Sequence, residues 1–330
     1  MEKIAFFTGE TVYYWSSIVL TLAALTAVCF FLSLYLGKGG NAVAAFGVVP
    51  LALALSLVLA RLVHWYCRAD SYDGFSEAIV PFSPGGYALL GVFAGCILAA
   101  ALTRLLHFHD NLPRMLDCMA VAGCAGIAVG RLASFFNSSD RGQIVQSAKS
   151  LPWVYPVTNA VSGATEYRLA TFLFQSAAAG LLFLVLALLF FRENPRHRRK
   201  SGSLTALFLM VYCASQVILD STRYDSLYLH SNGFVSMIQV LSAITLALTI
   251  VVCSVRAVKA RGIKKWMYLP WVLVPCLFGG AGYMEYFVQR HGKLAATGYS
   301  IMGACLAGIV LLGVLLWRAG MAPNLQKEHK

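Results

Sequence analysis

Three short polar stripes, each set in an otherwise apolar stretch, carry the side chains best suited to chemistry. Arg61, His64, Trp65 and Arg68 are spaced i, i+3, i+4 and i+7. Arg131, Ser134 and Ser138 are spaced i, i+3 and i+7, with Asn137 alongside, and Gln216, Asp220 and Arg223 are spaced i, i+4 and i+7. On a helix each set falls on one face. Ionisable groups inside apolar spans are expensive: a lone arginine at the centre of a lipid-facing helix costs about 2.5–3.5 kcal/mol on insertion scales, so three such stripes call for a shared polar cavity. The competing reading has Arg61 and Arg68 snorkelling to headgroups and Asp220 pairing with Arg223 at a helix end. Arg131, next to Gly130 after a strongly apolar stretch, favours function. A guanidinium held there suits a phosphate, because its planar fork matches two phosphate oxygens. Asp220 and His64 are the proton acceptors on the stripes; a satisfied or snorkelling aromatic is the alternative for His64.

The elements that must position these stripes follow from composition. Of 330 residues, 59% are apolar and only 12% charged, about half the charged share of a soluble domain. Mean hydropathy is +0.70. The apolar runs recur along the whole chain, which excludes a soluble enzyme with one anchor. They are continuous instead of alternating, which excludes a porin-like barrel. Spans of roughly 20 apolar residues, the length a helix needs to cross the hydrocarbon core, are predicted at about 14–36, 42–66, 87–107, 115–136, 171–191, 203–221, 234–256, 267–289 and 298–318. The expected fold is therefore an all-α, polytopic transmembrane bundle of about nine spans. No cleavable signal is expected before the first of them, which lacks a small-x-small site.

Sixteen Lys and Arg residues fall in the odd connections and the C-terminal tail, against eight in the N-terminal segment and the even connections. Basic residues are retained inside, so the N-terminus is expected outside and the C-terminus in the cytoplasm. The stripes then all lie near the outer ends of helices running outward, where they can meet at one level. The net charge of +12 needs no nucleic acid: the runs RHRRK and RGIKK suit an anionic cytoplasmic leaflet. The long 137–170 connection, with Pro152, Trp153, Tyr155, Pro156 and Gly163, is expected to form an extracellular cap or amphipathic arm. Nine cysteines include no CxxC pair. Eight lie in predicted helices as small apolar residues and Cys67 is expected at the outer surface, so no metal site or disulfide is predicted. Gly123, Gly126, Gly130 and Ser134 on the fourth helix, and Gly91 and Gly95 on the third, predict close helix packing. No internal repeat of the transporter kind is evident.

The stretch Gly130-Arg131-Leu132-Ala133-Ser134-Phe135-Phe136-Asn137, followed by Gly142, resembles the signature of prolipoprotein diacylglyceryl transferases, approximately G-R-x-G-N-F-x-N-x-E-x-x-G. Ala60-Arg61-Leu62 is similar to that family's second-helix A-R-L. Pro84-Gly85-Gly86 with Gly91 resembles its G-G-x-S-x-H-G, Asp220 with Arg223 its E-x-x-R, and GFVSMIQVLS from Gly233 to Ser242 its S-M-G-Q-x-L-S. The resemblance spans about residues 10–258, taken as a seven-helix domain over 1–258, with two additional helices and a short tail over 259–330. Leu90 stands where the family places a histidine, Gln216 where it places an arginine, Ser134 its asparagine, Ser139 its glutamate and Gln175 the acid of its H-P-x-Q-L-Y-E segment.

What the resemblance implies is transfer of the diacylglyceryl group of phosphatidylglycerol to a cysteine thiol in the lipobox of a precursor protein, in a bacterial cytoplasmic membrane and without a cofactor. It places Arg131, Asp220 and His64 at the chemistry, and Arg61, Arg131, Ser134, Asn137, Gly142, Gln216 and Arg223 at the substrate. The partners it implies are phosphatidylglycerol or another anionic phospholipid and a lipobox-containing precursor. A noncatalytic protein that binds phospholipid or precursor is the alternative, and a small-molecule transporter is a third, since fold alone does not choose.

Overall fold

The computed structural model describes residues 3–9, 11–76, 86–107, 111–137, 139–145, 152–159, 163–192, 200–229, 232–290 and 294–321. A bilayer offers no water to backbone polar groups, so apolar runs of this length satisfy their own hydrogen bonds as helices. Nine long helices form among the described residues: α1 (Trp15–Gly37), α2 (Ala42–Cys67), α3 (Leu89–Leu105), α4 (Leu112–Arg131), α5 (Thr171–Phe191), α6 (Ser203–Ser221), α7 (Met237–Arg261), α8 (Tyr268–Arg290) and α9 (Ala295–Met321). Eight are long and apolar enough to cross a membrane, and α3 is a shorter apolar helix. The chain is thus an all-α polytopic bundle.

Burial ranks the helices. Over their most apolar stretches, 56% of α4 with its 3-10 extension and 61% of α6 is buried inside the bundle, against 17–33% for the other spanning helices. The two helices that carry Arg131 and Asp220 are therefore its centre, and the rest present leucine, valine and phenylalanine outward. Asp117 of α4 ties the two together at the far end from the stripes. Its carboxylate accepts from Thr205 N and Gly202 N, each at 2.7 Å, and from Thr205 Oγ1 at 2.8 Å, capping the start of α6 from a neighbouring helix.

Small residues set the helix spacing. A methyl group at Gly91 or Gly95 of α3 would collide with the backbone of Ala60 or Ser56 on α2. One at Gly126 of α4 would stand 2.9 Å from Ala27 Cβ on α1, whereas Gly123 has nothing within 4 Å. Of the three glycines in the small stripe on α4, Gly126 and Gly130 pack against α1 and Gly123 does not. Cys67 is buried, with its Sγ 3.1 Å from Met237 Sδ, which corrects the expectation of a surface thiol: the start of α7 covers it.

At the end of the bundle holding the stripes lie three antiparallel hairpins: β1 (Ile4–Thr8) with β2 (Thr11–Tyr14) leads into α1, while β3 (Val154–Thr158) with β4 (Thr165–Leu169) and β5 (Tyr228–Leu229) with β6 (Asn232–Ser236) lie between spans. The connection expected to be a cap or amphipathic arm thus contains a strand pair, in keeping with Tyr and Thr in both halves and two valines in the first. α7 begins sharply because Ser236 and Gln239 form a reciprocal capping box.

Candidate active site

α4 ends at Arg131 and the chain continues as a 3-10 turn, Leu132–Phe135, before reversing at Asp140, whose φ is +55°. The reversal returns the Asp140 carboxylate to the helix end it has just left. Arg131 Nη1 lies 3.0 Å and Arg223 Nη2 2.8 Å from the same oxygen, Asp140 Oδ1. Ser134 Oγ donates to Asp140 Oδ2 at 2.9 Å. Arg223 also pairs with Asp220 Oδ1 and Asp225 Oδ1, each at 3.1 Å. Asp220, fully buried, accepts from the Ser236 hydroxyl on the strand leading into α7. Burial opposes ionisation of Asp140, but the Arg131 and Arg223 guanidiniums overcome it and hold the carboxyl well below the usual carboxylate range. Burial likewise disfavours the Arg223 cation, and Asp140, Asp225 and Asp220 more than restore it.

Backbone pairing holds this network in register. Segment 141–143 acts as a short strand between two partners: Gly142 N donates to Leu169 O at 2.8 Å, Gln143 N to Thr222 O at 3.1 Å, and Tyr224 N to Arg141 O at 2.8 Å. Gly142 is required by this closeness, since a Cβ there would stand 2.6 Å from Thr171 Oγ1 and 2.7 Å from Leu169 Cβ. Arg141 turns inward beneath the segment. Its Nη2 donates to Ser134 O at 2.7 Å and Asn137 O at 2.6 Å, and its guanidinium stacks over the rings of Tyr155 and Phe172 at 4.3 and 4.8 Å.

A second group forms on α2. Arg61 is buried, with Nη1 3.5 Å from Gly86 O and its guanidinium over the rings of Tyr72 and Tyr87. His64 Nδ1 lies 2.7 Å from the Tyr72 hydroxyl. The two groups are joined at the helix ends, where Arg68 Nη2 donates to Asp225 O at 3.0 Å.

The structure therefore brings Arg131, Ser134, Asp220 and Arg223 into one network and sets Arg61 and His64 in the neighbouring group. Asn137 shapes the turn: its Oδ1 accepts from Ser139 N at 3.0 Å and Ser139 Oγ at 2.5 Å. Gln216, below Asp220 on α6, faces Gln175 of α5 at 3.5 Å, both buried. Ser138, Pro84 and Gly85 lie outside the described residues. Asp140 and Arg141 were absent from the stripes because a helical repeat does not extend past the end of α4; their one signal was an acid beside the signature position held by Ser139. Glu285, an acid within the eighth predicted span, was legible by the same cost argument that singled out Arg131.

Comparison with known proteins bears on this arrangement. The sequence profile described as prolipoprotein diacylglyceryl transferase matches residues 3–255. The chain belongs to the prolipoprotein diacylglyceryl transferase family. It is similar to three proteins named phosphatidylglycerol–prolipoprotein diacylglyceryl transferase. That of Finegoldia magna is 26% identical over 69% of this chain and 86% of the relative. That of Clostridium novyi is 28% identical over 62% and 76%, and that of Trichormus variabilis 30% identical over 57% and 67%. The match to this transferase family ends within α7, so both groups of polar residues lie inside the matched stretch and α8 and α9 lie beyond it.

Proposed function

We propose that the protein transfers the diacylglyceryl group of phosphatidylglycerol to a lipobox cysteine thiol of a lipoprotein precursor, at the outer face of a bacterial cytoplasmic membrane. The observation that carries this reading is the pair of guanidiniums, Arg131 and Arg223, sharing one carboxylate oxygen at the joined ends of α4 and α6. Asp140 stands where an anion binds, and an arriving phosphate shares or displaces it. In the transfer a carbon–sulfur bond forms at the glyceryl carbon as its bond to the phosphate oxygen breaks. That electron pair leaves on the phosphate as glycerol phosphate, and the thiol loses its proton. A thiol of pKa about 8.5 is mostly protonated at neutral pH, so fixed cations help twice, at the thiolate and at the departing phosphate. Asp220, inside the network, and His64, in the adjoining group, are the proton acceptors. Arg61 supplies the third cation for the headgroup. Ser134, Asn137 and Gly142 shape the turn that presents Asp140, and Gln216 lies deeper along α6.

One observation favours a second reading, a protein that binds the lipid and turns it over slowly or not at all. Leu90 and the Gln216–Gln175 pair are neutral where the family resemblance places a histidine, an arginine and an acid, and acid–base assistance is typically worth about 10²–10⁴ in rate. Incubation of the purified protein with phosphatidylglycerol and a lipobox peptide separates the two. A peptide mass gain of one diacylglyceryl group with release of glycerol phosphate supports transfer. Selective retention of phosphatidylglycerol without product supports the binding reading, and neither result overturns both.

A further inference from the structure

The family match ends at residue 255, yet the two helices beyond it reach back to the site. Glu285 of α8 is buried at 7% exposure. Its Oε2 accepts from Ser221 Oγ at 2.6 Å and its Oε1 from Gln289 Nε2 at 3.0 Å. Tyr299 of α9 donates from its hydroxyl to Ser221 O at 3.2 Å and accepts from Gln143 Nε2 at 3.0 Å. Ser221 is the last residue of α6, beside Asp220 and two residues before Arg223; Gln143 follows Gly142 and is three residues from Asp140. One phenolic oxygen thus bonds to both chain segments that carry the Asp140–Arg223 ion pair, two residues before Arg223 and three after Asp140, and a carboxylate holds the last residue of the helix that leads to Arg223.

Both side chains are placed on rigid supports. α9 approaches α6 closely, with Gly303 against Ile218 and Gly313 against Met210, and a tyrosine has only two side-chain torsions to fix. A carboxylate inside a span is kept only where its oxygens are satisfied, and among the described residues none of the ion pairs includes Glu285. Its satisfaction comes from hydrogen bonds, one of them to the α6 terminus. We propose that the α8–α9 hairpin is a working part of the phospholipid site, with Glu285 and Tyr299 as positioning residues that fix the end of α6 against segment 141–143 and so set the spacing of Arg223 and Asp140. This rests on the reading of the site as a phospholipid headgroup site.

The test uses the full chain in detergent micelles and compares wild type with Tyr299→Phe and Glu285→Gln. Two readouts are taken: hydrogen exchange over 139–145 and 220–226, with α1 as the control, and the affinity for phosphatidylglycerol against phosphatidylcholine. Positioning predicts faster exchange in both segments with α1 unchanged, and phosphatidylglycerol affinity reduced by about two- to tenfold, the range given by one lost hydrogen bond. In an Arg223→Lys background the same variants add little, because they act through Arg223. Unchanged exchange in the two segments overturns the proposal. So does unchanged affinity in a protein that binds the lipid, or an effect that simply multiplies with that of Arg223→Lys. If the wild type shows no preference for phosphatidylglycerol, the headgroup reading fails and exchange alone decides the role of the hairpin. If Glu285→Gln folds poorly, Tyr299→Phe, which removes one oxygen and no charge, carries the test.

Discussion

Replacing Asp140 by asparagine isolates the charge that joins the two halves of the site. Asparagine keeps the size of the side chain and tolerates the positive φ of +55°, and its amide oxygen still accepts from Ser134. What is lost is the anion between Arg131 and Arg223. Arg223 keeps Asp220 and Asp225, while Arg131 is left outside the ion pairs formed among the described residues. Removing one partner of a buried pair costs about 3–5 kcal/mol. Only one guanidinium loses its carboxylate here, and its side chain is 12% exposed, so the low end applies: a loss of about 3 kcal/mol. The assay is reversible unfolding in phosphatidylcholine-containing micelles at pH 7, repeated with phosphatidylglycerol, whose headgroup should restore more stability to the variant than to the wild type by mass action. The acid limb checks the sign. Because the folded carboxyl is depressed, its contribution is complete above the unfolded value of about 3.9 and is lost as pH falls from there through the folded value. The gap between wild type and variant should then be constant from about pH 5 upward and close below about pH 4. A variant within about 0.5 kcal/mol of wild type at pH 7, the usual span of surface changes, would refute the assignment of Asp140 as the shared anion.

Arg131→Lys keeps the charge but not the fork, and is expected to weaken phosphatidylglycerol binding about tenfold with the fold intact; equal affinity in a lipid titration makes Arg131 structural. Asp117→Ala removes three hydrogen bonds at the start of α6, and should cost about 1–3 kcal/mol of stability while leaving lipid affinity unchanged; a loss of affinity in the folded variant would contradict the separation of the two ends. Tags at Lys330 and in the 192–200 connection should be cytoplasmic and one near Ser147 outside; protease access to the 192–200 connection from outside intact cells would reverse the orientation.

Helices were legible wherever an apolar run was long. The predicted span at 171–191 has the same ends as α5, and 203–221 the same ends as α6. Boundaries moved where polar capping decides them: the seventh span was drawn from 234, but the capping box at Ser236 starts α7 at Met237. Within the site, the i, i+3 and i, i+4 repeats found Arg131, Ser134, Asp220 and Arg223, because each lies on or beside a helix. They could not find Asp140, whose place depends on a 3-10 turn and one left-handed residue, conformations without a periodic signature. Nor could periodicity show that Tyr299, more than a hundred residues from Gln143 in sequence, would meet it.

The departures from the family pattern are organised by charge. The glutamate absent at Ser139 has a counterpart one residue later, where the reversal at Asp140 carries a carboxylate back to Arg131. Deeper in the bundle, the arginine and acid that the resemblance would place at 216 and 175 are both replaced, and the two glutamines that stand there face each other at 3.5 Å. Neutralising both members of a buried pair avoids the unpaired charge that neutralising one would leave. Position 216 therefore cannot be restored alone. Gln216→Arg would bury a cation against an amide, at a cost of about 3–5 kcal/mol, whereas Gln216→Arg with Gln175→Glu supplies the partner and should recover most of that loss. Unfolding measurements on the two variants decide this: a single variant as stable as the double would mean that the space between α5 and α6 already accommodates a cation.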